Sequence, residues 1–246
     1  MKPGVVAFIA MLAGTSFALS ADSITLASGT EKNQLIELYT SQGCSSCPAA
    51  DDWLAGLEKN PDLWDDLVPI AFHVDYWDRL GWKDELASSE FSERQRDYRK
   101  QGGLSQVYTP GFVVNGEEWR GFFRQRKLPG LERQDVGEII VTVDSSTVTA
   151  EFSPRVTSQE ELVFHVAVLG FGMSTNVMAG ENAGRTLHHD FAVIGYTHSR
   201  AIQEQDVYQS RFALPVLKMH TGRKAVVVWV SGAANQSPIQ SAGNWL

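Results

Sequence analysis

Apolar residues recur at regular spacings in the first part of the chain, and each spacing predicts a secondary-structure element. Residues 34–40 (QLIELYT) alternate well enough for a half-buried strand, which a Ser-Gln-Gly break ends. From Cys44 to about Lys59, apolar residues recur every three or four positions and predict a helix that Asn60-Pro61 ends. The pattern therefore predicts a strand, a tight turn and a helix, with Cys44 at the turn.

Further elements are expected as far as residue 134. They are a strand over 68–76, a polar helix from Ser88 or Ser89 to Lys100 that Gly102-Gly103 ends, and a hairpin of residues 107–114 and 118–123 around Asn115-Gly116. This order of elements is typical of an α/β thioredoxin-like domain, in which helices connect the parallel strands. We therefore predict such a domain over residues 33–134.

The pattern changes after about Asp135. Short strand-like runs alternate with Ser, Gly, Pro and Asn turns, without a convincing amphipathic helix; the runs are 138–144, 147–152, 162–169, 190–194 and 225–231. They predict an antiparallel β-sandwich-like domain over residues 135–246, packed beside the first domain.

The first residues have the layout of a secretory signal, because one lysine precedes a short apolar run and small residues follow. A membrane anchor would need about 20 consecutive apolar residues, and polar residues and glycine interrupt this run. We expect a signal peptide over 1–21, cleaved after Ala18, Ser20 or Ala21, and a flexible lead-in over 22–32. The expected location is periplasmic or secreted, with no membrane span in the mature chain.

Composition and charge exclude one class of partner. The 246 residues are 43% hydrophobic and 20% charged, which fits an ordinary globular core. The formal net charge is −8 at pH 7, and Lys and Arg form no cluster beyond short mixed stretches such as 94–100. Such a surface would repel a phosphate backbone, so we expect no nucleic-acid partner.

The two cysteines, Cys44 and Cys47, form a Cys-Ser-Ser-Cys motif. A disulfide ring of about 4 residues would stabilise a fold by only about 2 kcal/mol, against about 4.7 for a 100-residue loop, so redox chemistry explains the pair better than a structural bridge. At a helix start, unpaired N–H groups and the helix dipole stabilise a thiolate. Cys44 is the predicted attacking thiol and Cys47 the resolving thiol, with Ser45 and Ser46 as neutral hydroxyl groups of the substrate site.

Three other features extend this site. Thr109-Pro110 opens an apolar strand. The peptide bond there either belongs to an ordinary trans turn or, as the thioredoxin-like fold favours, is a cis bond that lies against the dithiol and offers a backbone edge to a substrate chain. Glu37 stands seven residues before Cys44, where it is either an acid that helps to deprotonate the second cysteine or a solvated strand residue. Trp77 and Trp82 either rim a substrate groove or belong to a packed loop.

Metal chemistry is the main alternative use of a Cys-x-x-Cys pair. Structural zinc needs a second pair of ligands, but no further cysteine exists and the six histidines are scattered. We expect no metal and no bound cofactor. A Cu(I)-handling dithiol stays open, with Met173 and Met178 as its remote support.

Four segments carry a family resemblance: 37–51 (ELYTSQGCSSCPAAD), 73–84 (HVDYWDRLGWKD), 107–116 (VYTPGFVVNG) and 180–187 (GENAGRTL). They resemble the bacterial secreted family called domain of unknown function 1223. The resemblance covers nearly the whole chain after the signal, and it implies a thioredoxin-like fold with a β-rich C-terminal part but no known reaction. Residues 117–131 depart from it, because their sequence does not favour the expected last helix of that fold.

The sequence thus predicts an exported thiol-disulfide oxidoreductase that exchanges with protein thiols or a small thiol. The direction of exchange is not set by the motif. A protein-binding module with a rarely cycled disulfide and the Cu(I)-handling protein are the alternatives.

Overall fold

The computed structural model describes residues 23–131, 133–144, 146–157 and 160–246. The predicted signal peptide lies outside the described residues. The strands are β1 (Ile24–Ala27), β2 (Gln34–Thr40), β3 (Leu67–His73), β4 (Gly111–Val114), β5 (Glu117–Glu118), β6 (Gly137–Val143), β7 (Thr147–Pro154), β8 (Leu162–Phe171), β9 (Met173–Asn176), β10 (Thr186–His189), β11 (Ala192–Arg200), β12 (Ile202–Glu204), β13 (Val207–Ala213), β14 (Arg223–Gly232) and β15 (Pro238–Trp245). The helices are α1 (Pro48–Ala55) and α2 (Ser89–Gln101), with short 3-10 helices over Gly56–Lys59, Asp75–Leu80 and Gly121–Phe123.

An eight-stranded mixed sheet carries the site, with the strand order β15-β14-β8-β11-β3-β2-β4-β5. β2 and β3 are parallel, and α1 lies in the crossover that joins them. β11 joins β3 through a parallel pairing of Ala192 with Ala71. Strands from both halves of the chain therefore form one sheet, and the second half adds four strands to the edge of β3.

Side chains alternate between the two faces of this sheet, and each face has its own cover. On one face, Phe72 contacts Phe91 of α2, and Trp229 lies under Arg94 of the same helix. The neighbours of Trp229 on β14, Val228 and Val230, point the other way. They pack against the five-stranded sheet β1-β6-β7-β13-β12.

The two helices start and stop where local chemistry favours it. Ser88, with an extended backbone, is the N-cap of α2, and Gly102 ends the helix with a φ of 89°. Both ends agree with the sequence prediction. α1 begins at Pro48 instead of Cys44, and its continuation as a 3-10 helix ends at Lys59 as predicted.

The predicted fold class, an α/β thioredoxin-like domain followed by an antiparallel β-sandwich-like domain, is wrong. Among the described residues, 45% lie in strands and 15% in helices, so the structure is mostly β. Its largest sheet extends across the predicted boundary at 134–135. The continuous apolar runs of β8 and β14 explain the error, because such runs indicate strands buried on both faces. An outer sandwich strand alternates instead, as β7 does.

Two other segments differ from their predictions. The expected flexible lead-in contains β1, which pairs antiparallel with β6. The second arm of the predicted hairpin is reduced to β5 and a 3-10 helix over Gly121–Phe123. In the described part of the chain, no helix is long and apolar enough to cross a membrane.

Candidate functional site

Cys44 and Cys47 form a disulfide between the end of β2 and the start of α1. Their Cα atoms are 5.4 Å apart, within the usual range for a disulfide. Cys47 is the N-cap residue of α1, and its carbonyl accepts the backbone N–H groups of Ala50 and Asp51 at 2.8 and 3.0 Å. Pro48 follows at the first helical position, where no N–H is needed. Cys47 therefore occupies the N-cap position of the helix without a side-chain capping bond, and Cys44 lies in the turn before it.

Both cysteines are buried, whereas the residues between them are exposed. Cys44 is 1% exposed and Cys47 is 0% exposed, but Ser45 and Ser46 lie at the surface. The Oγ atom of Ser46 lies 3.4 Å from Sγ of Cys44. In this conformation, the predicted attacking cysteine is almost inaccessible to solvent.

A hairpin from the second half of the chain binds the turn that contains the disulfide. β9 and β10 form a two-stranded sheet of their own, and the loop between them reaches the dithiol turn. Nδ2 of Asn182 donates hydrogen bonds to the carbonyl oxygens of Gln42 and Cys44, both at 2.9 Å. The carboxylate of Glu181 accepts the backbone N–H of Ser45 at 3.0 Å. The hydroxyl of Ser45 and then this N–H lower the pKa of Glu181.

Trp77 connects the dithiol turn with the segment Thr109-Pro110. The Thr109–Pro110 peptide bond is cis, as expected from the sequence. Nε1 of Trp77 donates to Oγ1 of Thr109 at 2.8 Å, and Cβ of Trp77 would lie 3.1 Å from a Cβ atom on Gly43. The structure thus places Thr109 and the residue before Cys44 against the same tryptophan.

Trp82 holds the other side of the turn. Its Nε1 donates to Oε1 of Gln42 at 2.9 Å, while Nε2 of Gln42 donates to Thr175 of the hairpin at 3.0 Å. Trp77 and Trp82 are both partly buried and bind loops of the protein itself. Substrate contacts of these tryptophans, and of Ser45 and Ser46, stay predictions.

The structure does not bring Glu37 together with the cysteines. Its carboxylate accepts hydrogen bonds from Nε and Nη2 of Arg94 at 2.8 and 3.0 Å. It also accepts the hydroxyls of Tyr39 and Tyr98 at 3.0 and 2.5 Å. Arg94 and Tyr98 belong to α2, on the face opposite α1. Burial and then the charge of Glu37 raise the pKa of Tyr98 well above its ordinary value.

Asp51 is the acid on the α1 side of the sheet. It stands four residues after Cys47, which places both on one side of the helix. Burial raises the pKa of Asp51 to about 7, against the opposing attraction of His73 and the hydroxyl of Thr40. A carboxyl group with a pKa near neutrality can both accept and donate a proton at pH 7.

A buried polar cluster connects this acid with the hairpin. Nδ1 of His73 donates to Oδ2 of Asp84 at 2.7 Å, and the same oxygen accepts the N–H of Gln42 at 2.9 Å. Burial lowers the pKa of His73, but the charge of Asp84, the hydrogen bond to it and the charge of Asp51 together outweigh burial, so the net pKa is raised. Burial also opposes ionisation of Asp84, yet His73 holds its pKa below the ordinary value.

His189 completes the cluster from the hairpin side. Its Nε2 lies 3.1 Å from Nε2 of Gln42, and burial followed by the charge of His73 lowers the pKa of His189 to about 3. Because an amide nitrogen can only donate, Nε2 of the neutral ring accepts a hydrogen bond from Nε2 of Gln42. Among the described residues, no group of three or more His, Cys, Asp and Glu side chains is arranged to hold a metal ion.

Sequence reasoning missed Asp51, Glu181 and Asn182 as site residues. A signal for Asp51 was present, because an acid four residues after a helix-capping cysteine lies on the same side of the helix. Asn182 lies 138 residues from Cys44, and no local pattern connects positions so far apart.

Two solved structures are similar to this chain. None of the curated proteins matches it. The crystal structure of protein AGR_C_4864 from Agrobacterium tumefaciens is 25% identical, with 87% of this chain and 93% of that chain covered and a TM-score of 0.52. HBP35 of Porphyromonas gingivalis is 16% identical, with 88% of this chain and 76% of that chain covered and a TM-score of 0.59. The second likeness concerns the fold alone.

A family model for proteins of unknown function, DUF1223, matches residues 35–231. The match includes the dithiol, the Trp77 and Thr109 segments, and the β9–β10 hairpin. The chain therefore belongs to the DUF1223 family of proteins of unknown function.

Proposed function

We propose that the protein is an exported thiol-disulfide oxidoreductase that works through Cys44 and Cys47. The observation that carries the proposal is the disulfide itself, which closes a small ring between a strand and the first turn of a helix. So short a ring contributes little to stability. The apolar run and small residues at the start of the sequence support export.

The exchange proceeds in two thiol-disulfide steps. A substrate thiolate attacks Sγ of Cys44, a substrate–Cys44 disulfide forms, and the Cys44–Cys47 bond breaks to release the Cys47 thiolate. A second substrate thiolate then attacks the substrate sulfur of the mixed disulfide and releases the Cys44 thiolate. The substrate is oxidised to a disulfide, the protein is reduced to a dithiol, and the reverse steps reduce a substrate disulfide.

Asp51 supports this chemistry better than Glu37. The leaving Cys47 thiolate needs a proton, and Asp51 lies one helical turn away with a pKa of about 7. Both carboxylate oxygens of Glu37 are engaged by Arg94 and the tyrosines on the other face of the sheet. We therefore assign proton transfer to Asp51 and a structural role to Glu37.

The remaining site residues align the partner. Thr109 and Pro110 offer a backbone edge beside Trp77, and the exposed Ser45 and Ser46 offer hydroxyl groups next to the disulfide. Electrons enter and leave through protein thiols or a small thiol, so the exchange runs without a bound cofactor.

A second candidate is a binding module whose disulfide is rarely cycled. The 1% exposure of Cys44 favours it, because an inaccessible sulfur reacts slowly.

Single-cysteine variants separate the two candidates. With oxidised glutathione at pH 7, Cys47→Ser should form a mixed disulfide at Cys44, detected by intact mass, at least about tenfold faster than Cys44→Ser forms one at Cys47. The wild type should also catalyse glutathione-dependent reduction of a disulfide-bonded peptide. Equal, slow labelling of both variants, together with no turnover by the wild type, would favour the binding module.

A further inference from the structure

The hairpin over the disulfide is built as a separate arm. β9 and β10 pair with each other and form their own two-stranded sheet. An isolated hairpin of this kind is only marginally stable, so it depends on what it packs against. Its opening therefore requires no rupture of the eight-stranded sheet.

Both connections of the arm have unusual backbone geometry. Gly172, between β8 and β9, has a φ of 63°, and Phe191, between β10 and β11, has a φ of 57°. The N–H of Gly172 donates to Oδ1 of Asp190 at 2.7 Å, which ties the two connections together. The arm thus continues β8 and β11 in the same register, after an interruption at which two residues have left-handed backbone and which can act as one hinge.

The tip of the arm is attached to the dithiol turn by specific polar contacts. Asn182 is completely buried, and its amide donates to the carbonyls of Gln42 and Cys44. Nη1 of Arg185 donates to Oδ1 of the same amide at 2.7 Å, which fixes its orientation. Glu181 adds the bond to the N–H of Ser45. These contacts bind main-chain atoms of the turn that contains the disulfide.

We propose that the β9–β10 hairpin is a lid that controls access to the Cys44–Cys47 disulfide, with Asn182 as its latch. The proposal rests on the proposed thiol exchange, because Cys44, as a residue only 1% exposed, must become more accessible before its sulfur is attacked. When the lid opens, the carbonyl of Cys44 and the N–H of Ser45 lose their hydrogen bonds to the lid. A partner protein can then bind these two groups. Local opening of this kind requires less free energy than global unfolding.

The rate at which dithiothreitol reduces the wild-type disulfide tests the lid. Asn182→Ala removes both latch bonds and should increase that rate roughly ten- to hundredfold. Asn182→Asp should increase it as well, because it places a carboxylate against two carbonyl oxygens. Asn176→Ala is the matched control, since Asn176 is an exposed asparagine of the same hairpin whose side chain bonds to Thr186; its rate should stay within about twofold of the wild type. Equal rates for all four proteins would overturn the lid.

Hydrogen exchange on the oxidised wild type covers the case in which the variants fail to fold. The amides of 173–189 and of Ser45 should exchange through a shared local opening, well before those of β14. Exchange of the hairpin only together with β14 would overturn the proposal. The reduction assay uses dithiothreitol, and the hydrogen-exchange assay uses no thiol. A lid can therefore be confirmed even if the glutathione experiment finds no oxidoreductase activity. Oxidoreductase activity can likewise be confirmed even if these two assays find no lid.

Discussion

Replacement of Arg94 by methionine is expected to lower the free energy of unfolding by about 3–5 kcal/mol, because it leaves the Glu37 carboxylate buried without its positive partner. The side chains of both residues are almost fully inaccessible, with 6% and 1% exposure. Arg94 also lies over Phe72, Tyr98 and Trp229, at 5.1 to 5.5 Å from the ring centres, so the change also removes cation–π contacts. Urea unfolding followed by circular dichroism measures the effect.

Two further variants identify the cause of that loss. Arg96→Met breaks an exposed ion pair with Glu93 on the same helix and should change stability by less than about 1 kcal/mol. The double variant Glu37→Gln, Arg94→Met removes both charges, so it should recover part of the loss. If Arg94→Met and Arg96→Met lower the free energy of unfolding equally, the buried Arg94–Glu37 ion pair does not stabilise the core, and the expectation is wrong.

Replacement of Asp51 by asparagine is expected to slow thiol exchange about a hundredfold at pH 7, because Cys47 loses its proton donor and acceptor. The variant keeps the size of the side chain, so the loss should appear in the rate and in its pH profile. The inflection near pH 7 that Asp51 gives to the wild-type profile should disappear. Stopped-flow measurement of the exchange rate from pH 5 to pH 9 tests both expectations.

The same variant should also be more stable than the wild type at pH 8. Burial raises the pKa of Asp51 from 3.8 to about 7, so the folded state binds more protons than the unfolded state between these values. The stability from this group is complete below pH 3.8 and is lost as the pH rises through 7. The ionised wild type should therefore be less stable than Asp51→Asn by on the order of 2–4 kcal/mol at pH 8, with little difference near pH 4.

Asp52→Asn provides the matched control, because Asp52 is the exposed neighbour on the same helix. Its stability should stay within about 0.5 kcal/mol of the wild type at both pH values. An Asp51→Asn variant with wild-type exchange rates and no gain of stability at pH 8 would remove Asp51 from the mechanism.

Local elements were predictable from the sequence because local chemistry determines them. β2 spans the predicted residues 34–40, and the turn at Asn115-Gly116 has positive φ angles of 50° and 90°, as such a pair favours. The ends of α2 follow from Ser88 and Gly102. The predicted start of α1 at Cys44 was wrong. Cys44 fits the three- and four-residue spacing of apolar residues, but Pro48 is the first residue of the helix.

The arrangement of the sheets was not predictable in this way. The pairing of Ala71 with Ala192 joins segments that are far apart in sequence, and no local pattern encodes it. The continuous run Ala225 to Val230 did carry a usable signal, since a strand with no polar face needs cover on both sides. The lid was unpredictable for the same reason as the sheet, because Asn182 meets Cys44 only in the folded chain.

The equilibrium reduction potential of the Cys44–Cys47 pair tests the central claim most directly. It can be measured by equilibration of the wild type with glutathione redox buffers, rapid acid quenching and intact mass. A dithiol that cycles in thiol exchange should lie between about −120 and −270 mV. A potential below about −300 mV, typical of inert structural bridges, would contradict the account.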